Sequence, residues 1–294
     1  MINRRTVIIA SAASAAFGVR AASAADWPSR AVQAIVPFPP AGNVDITARL
    51  VGAAASAEWG QQLVVENRPG AGGNIGNEAV ARSAPDGYTV LFTQGGIVVN
   101  KFLYKSLNYD VTGDFAPISL LVIVPNVLVV PASSAAKTMQ DFVTLAKSKP
   151  LLYASAGNGT SSHLSGELLK RRLNVGMTHI PYRGTALAVT DLIGGRVDVT
   201  CDNVSALLPQ IKSGALRALA VTTNQRLAVL PDVPTMAESG IDDFKSYGWT
   251  AVFAPAKTPS TIVDAMNKTM VSAIRRPDNR AIMEEAGNVV VGSS

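Results

Sequence analysis

"QLVVENRPGAGGNIG", residues 62–76, sets an apolar run (Leu63, Val64, Val65) directly before a glycine-rich turn and a stretch of helical composition. A short Val- and Leu-rich run that enters a helix through glycines is one strand-to-helix step. The fold class depends on whether that step recurs, and it does. "VQAIVPF" precedes a helical segment over 44–58, "QLVVEN" precedes 73–83, and "YTVLFT" follows; "NVLVVP" precedes 138–148, "LLYASA" 160–173, "MTHIPY" 184–194 and "VDVTCD" 204–213, before "ALRALAVT". This alternation predicts an α/β protein whose mostly parallel sheets are flanked by helices.

The rhythm breaks twice. Residues 100–125 show no clear helix, and residues 224–248 are rich in Pro, Gly and Asp. Both read as crossings between two lobes. The expected lobes are 26–122 with 224–294, and 123–223 between them. After the second crossing "WTAVFAPA" predicts a strand and 258–275 a helix, with Thr258 as N-cap and Pro259 at the first helical position.

Residues 1–24 read as an export signal: Arg4 and Arg5, a short apolar stretch from Thr6 to Phe17, and small residues at Ala22, Ser23 and Ala24. The stretch is shorter than the roughly 20 residues a membrane span needs. Paired arginines suit twin-arginine as well as general secretory export, so the expected location is the periplasm by either route. The leader also explains the apparent basicity. The whole chain carries 26 Lys and Arg against 21 acids, and three of those arginines lie in the leader, which holds no acid. A mature net charge near neutral, without basic runs, excludes nucleic acid as a partner class. One cysteine, Cys201, excludes an internal disulfide.

In such folds ligands meet the carboxyl ends of strands, where helix N-termini present unpaired N–H groups. The glycines of the opening stretch, Gly70, Gly72, Gly73 and Gly76, only approximate a dinucleotide fingerprint: the last falls one residue late, and Thr93 stands where a ribose-binding acid is expected. In "PFPPAGNVD" (37–45), prolines stiffen the turn and Asp45 can cap the helix that follows, which reads either as a rigid turn with a capped helix or as a binding loop. "SAGNGTSSHL" (155–164) combines close backbone approach with the hydroxyls of Thr160, Ser161 and Ser162 at a helix start, a composition suited to an anion. Arg183, in "PYRG", either clamps a carboxylate or lies in solvent; Asp202 either accepts from a ligand or caps the helix from 204. Hydrolysis lacks support: there is no G-x-S-x-G elbow, and His163 stands beside the serines in sequence rather than opposite them. His163 reads as a packing or surface residue, and two histidines with one cysteine leave no zinc cluster.

Taken in order, "VPFPPAGNVD", "ENRPGAGGNIG", "APDGYTVLFT", "YDVTGDFAPISL", "YASAGNGTSSHLSGELL", "HIPYRGTALAVTDLIGGRVD", "GALRALAVTTNQRLAVLPDVPTMAESG" and "WTAVFAPAKTP" resemble the Bug (TctC) family, the extracytoplasmic solute receptors of tripartite tricarboxylate transporters. The resemblance runs from Trp27 to Ser294. It implies a type II periplasmic-binding-protein fold, monomeric, with two lobes closing on a small organic acid and delivering it to membrane permease subunits. It implies no cofactor, no metal and no catalysis. Its binding loops correspond here to Pro39, Gly42 and Asp45; Thr93 and Gln94; Ser155, Gly157, Gly159, Thr160 and Ser161; and Gly184 and Asp202. Two departures stand out. Ala41 occupies the first place of a usual Gly-Gly pair, and the chain ends at "VVVGSS" where the family usually continues into a further C-terminal helix. An enzyme on a similar frame, or a sensor that presents its ligand to a signalling protein, are the competing expectations.

Overall fold

The computed structural model describes residues 27–294, so the expected leader lies outside the described residues. The first sheet opens with β1 (Val32–Val36), α1 (Asn43–Trp59), β2 (Leu63–Asn67), α2 (Asn74–Ala81) and β3 (Thr89–Thr93), followed by α3 (Gly96–Leu103). β1 pairs in parallel with β2 on one side and β3 on the other. Apart from Gln33 its residues are apolar on both faces, as burial on both sides requires: Val32, Ala34 and Val36 pack under α1, while Ile35 joins Val80, Leu91 and Ile97 on the opposite face. Each of the Val, Leu and Ile side chains contributes about 1.5–3 kcal/mol on burial.

β4 (Phe115–Pro131) then leads into the second sheet: α4 (Met139–Ser148), β5 (Leu151–Ser155), α5 (Ser161–Leu173), β6 (Met177–Pro181), α6 (Thr185–Ile193), β7 (Val199–Asn203), α7 (Val204–Lys212) and β8 (Leu216–Val221). β5 pairs in parallel with β6 and β7. The chain returns through β9 (Tyr247–Pro255), α8 (Ser260–Arg275), α9 (Pro277–Glu285) and β10 (Val289–Val290). The strand order is β2-β1-β3-β9-β4-β7-β5-β6, with β8 and β10 also on β4.

The α/β class and the two-lobed layout agree with the sequence, but both crossings differ in kind from the expectation. The region 100–125 contains the end of α3 and the first half of β4, and β4 and β9 pair antiparallel along most of their length. The chain crosses on long paired strands, which satisfies backbone groups that a bare loop would leave to water. One register shift in this pairing lies between Pro117 and Ser119, as a missing proline N–H favours. The second difference concerns residues 224–246, expected with the first lobe. Leu230 packs with Val127 and Val129, and Met236, Ile241 and Phe244 pack with Leu128, Phe142 and Tyr153 of the second sheet. The apolar residues of this Pro- and Asp-rich segment, rather than its overall composition, decide where it lies.

Thr258 is not the cap of α8. Pro259 holds that position in an extended conformation and the helix begins at Ser260, while the Thr258 N–H closes a turn on Pro255 O. Among the described residues no helix is long and apolar enough to cross a membrane.

Candidate functional site

α3 and α5 start at strand ends in opposite sheets, and both N-termini open on one cavity of about 230 Å³ between the lobes. It is lined by Gln94 and Gly95 before α3, Val98 and Val99 on its first turn, Gly159 and Ser161 at the start of α5, Leu164 on that helix, and Tyr247, Gly248 and Trp249 where β9 begins. Gly96, Ser161 and Ser162 are the first residues of their helices, so their N–H groups have no intrahelical carbonyl. Two positive helix ends therefore face one space whose lining carries no charged side chain. A larger hollow of about 550 Å³ lies between α1 and β2, lined by Arg49, Ser56 and Gln62 among others. It is shallow and lies on one lobe alone, so the inter-lobe cavity is the candidate site.

The lobes are in contact beside this cavity. A Cβ at Gly159 would stand 2.7 Å from Asn100 Oδ1 and 3.2 Å from Leu103 Cδ1, both on α3, and one at Gly72 would lie 3.5 Å from Asn158 O. The opening glycine turn, 70–73, thus meets the β5–α5 loop across the cleft. Gly159 is also at φ 80°, a left-handed conformation that a side chain disfavours.

Within the β5–α5 loop the hydroxyls shape the backbone. Thr160 Oγ donates to Gly157 O at 2.7 Å and accepts from His163 N; Ser162 Oγ accepts from Ala156 N at 3.0 Å; Ser155 Oγ accepts from Gly157 N and stands 2.6 Å from His179 Nε2. The Thr160 and Ser162 hydroxyls are thus engaged in capping and turn bonds within the loop itself. Ser161 differs, since its hydroxyl borders the cavity while donating to Asn203 Oδ1 at 3.1 Å. Gly157 packs against Tyr182 of the next strand-end loop.

Of the other residues expected in the site, Gln94 lines the cavity, and Thr93, just before it, is buried with its hydroxyl toward Asn77. Pro39 and Gly42 are exposed in the β1–α1 turn and do not line the cavity. Asp45 is buried and its carboxylate accepts from Ala41 N, Arg49 and Asn67 Nδ2, so it holds the turn together. Burial alone would push the Asp45 carboxyl up, but these hydrogen bonds hold it below the usual range. Ala41 adopts φ 64°, in the left-handed region that favours glycine. Gly184 begins α6 at φ 133° without reaching the cavity. Asp202 is also buried; it accepts from Thr185 Oγ at 2.9 Å and from Asn203 N, tying α6 to the end of β7, and it does not cap α7. Burial raises its carboxyl above the usual range. Arg183 is exposed.

His163 and His179 are packing residues. His179 stacks between Tyr153 and His163, and His163 Nδ1 accepts from Gly159 N at 3.2 Å. Among the described residues no cluster of His, Cys, Asp and Glu could hold a metal ion. Cys201 is buried, as read from its apolar strand, and burial pushes its thiol up to about 12.

Sequence reasoning missed Gly95, Val98, Val99, Leu164, Tyr247, Gly248 and Trp249. The last three lie at the return crossing, and a strand that re-enters at a lobe junction passes the cleft. That was a usable signal. Val98 and Val99 look like ordinary core residues until the helix carrying them is known to start at the cleft.

Comparison with known proteins fits this architecture. Residues 47–294 match the family described as "Tripartite tricarboxylate transporter family receptor". A relative named "UPF0065 protein in tcbD-tcbE intergenic region", from a Pseudomonas species, is 42% identical over 271 residues, 91% of this chain and 81% of its own length. The solved structure "R. palustris Rpa4515 with adipate" is 37% identical with a TM-score of 0.87, covering 92% of this chain and 91% of its own. "MatC (Rpa3494) from Rhodopseudomonas palustris with bound malate" is 34% identical with a TM-score of 0.81, covering 90% and 91%. The fold is accordingly the type II arrangement of periplasmic binding proteins.

Proposed function

The chain belongs to the family of tripartite tricarboxylate transporter receptors, and from that premise we propose that it captures a small organic carboxylate between its lobes and delivers it to a membrane permease. The observation that carries this reading is the convergence of the α3 and α5 N-termini on one neutral cavity. A carboxylate there would take hydrogen bonds from the N–H groups of Gly96, Ser161 and Ser162 and gain from both helix ends. Gln94 and Trp249 would complete the contact, with Gly159 admitting the close approach of the lobes.

Ser155, Gly157 and Thr160 act in this reading by shaping the β5–α5 loop, Asp45 by holding the β1–α1 turn, and Asp202 by fixing the start of α6. The related structures that contain adipate and malate support a carboxylic acid as ligand class. The lobes are 27–122 with 247–294, and 123–246. The protein works as a monomer in the periplasm and is not an enzyme, a view supported by a cavity lining without a nucleophile–base pair.

Isothermal titration of short-chain acids against their amides tests the reading. An acid should bind and its amide should bind at least tenfold more weakly, since the amide carries no charge to meet the helix ends. An amide that binds as tightly as its acid would sink it.

A further inference from the structure

Asn100 lies on α3 where the two lobes touch; it is fully buried, and its amide is hydrogen-bonded on one side only. Its Nδ2 donates to Gly72 O at 3.1 Å and to Asn74 Oδ1 at 2.6 Å, both in its own lobe. Its Oδ1 is also buried and has no hydrogen-bond partner among the described residues. Rotating the amide would not satisfy it, because the oxygen would then face Gly72 O, which can only accept. The oxygen instead faces the other lobe, where a Cβ on Gly159 would stand 2.7 Å from it. Gly159 is buried as well, and its N–H is turned back into the second lobe onto His163 Nδ1, so it is not offered to the oxygen.

We infer that Asn100 is a positioning residue that opposes closure of the unliganded lobes. Separating the lobes draws Gly159 away from the Asn100 oxygen and lets water solvate it. Bringing them together removes that water and supplies no donor, which is unfavourable for a buried amide oxygen. The Nδ2 bonds stay within the first lobe and are the same in both states, so the cost falls on closure and not on the fold. Leu103 acts in the opposite sense: its Cδ1 lies beside Gly159 on the same helix face, and that apolar contact favours closure. The stranded oxygen offsets this contact, so the open form is the resting state. A molecule held from both lobes then supplies the differential free energy that closes them. The consequence is a cleft that stays accessible until it is filled. The inference rests on the two-lobed frame and not on the chemistry of the ligand.

Pulsed dipolar distance measurement on the unliganded mature chain tests this, with nitroxide labels on Lys105→Cys and Arg183→Cys, exposed residues of opposite lobes. Cys201 is buried and stays unlabelled. The labelled protein should be mostly open, with label distances longer than this structure gives. Asn100→Ala in that background should raise the closed-to-open ratio at least fivefold, although it deletes a side chain from the lobe contact. Asn100→Ser, whose hydroxyl can bond back to the Gly96 carbonyl and so spares the fold, should shift the ratio the same way. A side chain that merely fills the contact would shift it the other way or leave it unchanged. An unliganded parent that is mostly closed would overturn the inference. So would variants that keep their fold by circular dichroism and show an unchanged or lower closed-to-open ratio. Neither result touches the carboxylate reading, which the titration of acids against amides tests separately.

Discussion

His163 and His179, the only histidines in the chain, stack with ring centroids 4.2 Å apart beneath the loop that begins α5. One ring accepts the Gly159 N–H and the other stands against the Ser155 hydroxyl, so both sit under the candidate binding loop. Burial is the largest cause holding each below the ordinary imidazole range, and the charge of His163 adds to it for His179, which is brought down to about 4. Glu167 opposes the shift at both.

Stability should therefore depend on pH in a definite direction. An unfolded imidazole takes up its proton near pH 6.5, whereas the folded pair resists protonation until lower pH. The stabilisation is complete above about pH 6.5 and is lost as pH falls toward 4. Thermal melts from pH 7.5 to 4 should show Tm falling across that window, and less steeply in His179→Phe, which keeps a ring against Tyr153. Asp202, whose carboxyl is raised by burial, contributes with the opposite sign and is unchanged in the variant. Parallel curves for the two proteins would contradict the role given to His179.

Gly159→Ala should weaken carboxylate binding at least tenfold. The new Cβ meets Asn100 Oδ1 at 2.7 Å across the cleft, and the left-handed backbone adds roughly 1–2 kcal/mol of strain. Because this clash is between lobes, affinity should suffer more than the melting temperature of the unliganded protein. Calorimetric titration beside a melt of each protein checks the split, and an unchanged dissociation constant would mean the loop does not approach α3 on binding.

Ala41→Gly should stabilise the protein slightly, by up to about 1 kcal/mol: relief of the left-handed strain exceeds the entropy that glycine adds to the unfolded chain. The N–H of residue 41 still reaches Asp45, so binding should persist. Urea denaturation measures this directly, and a clear loss of stability would show that the Ala41 methyl makes a contact worth more than the strain.

Asp45→Asn should cost roughly 2–3 kcal/mol, because it removes a buried charged acceptor shared by Ala41 N–H, Arg49 and Asn67. The Arg49 side chain is largely exposed, so most of that cost comes from the other two partners. The same denaturation experiment applies. A variant as stable as the parent but unable to bind would place Asp45 against the ligand instead.

The fold was readable because it rests on local patterns. "VQAIVPF" and "LLYASA" are apolar runs with a helix behind them, and no tertiary detail is needed to recognise them. The strand-end loops were readable for the same reason, which is how Gly159 and Ser161 came into view, whereas Gln94 came only from the family resemblance. Tyr247 and Trp249 were not, because their place in the cleft comes from a return crossing whose partner, Pro125 to Ile123 of β4, lies more than a hundred residues away. Asp45 and Asp202 illustrate a different limit. A carboxylate at a strand-end loop looks the same in sequence whether it faces a ligand or three neighbouring donors, and only the hydrogen bonds distinguish the two.

The central claim is that one carboxylate sits between the N-termini of α3 and α5. A crystal structure of the mature protein with the acid that binds most tightly in the titrations tests it most directly. The account predicts carboxylate oxygens within hydrogen-bond distance of the N–H groups of Gly96 and Ser161. A carboxylate lying away from both helix starts, or an acid bound in the hollow between α1 and β2, would contradict it.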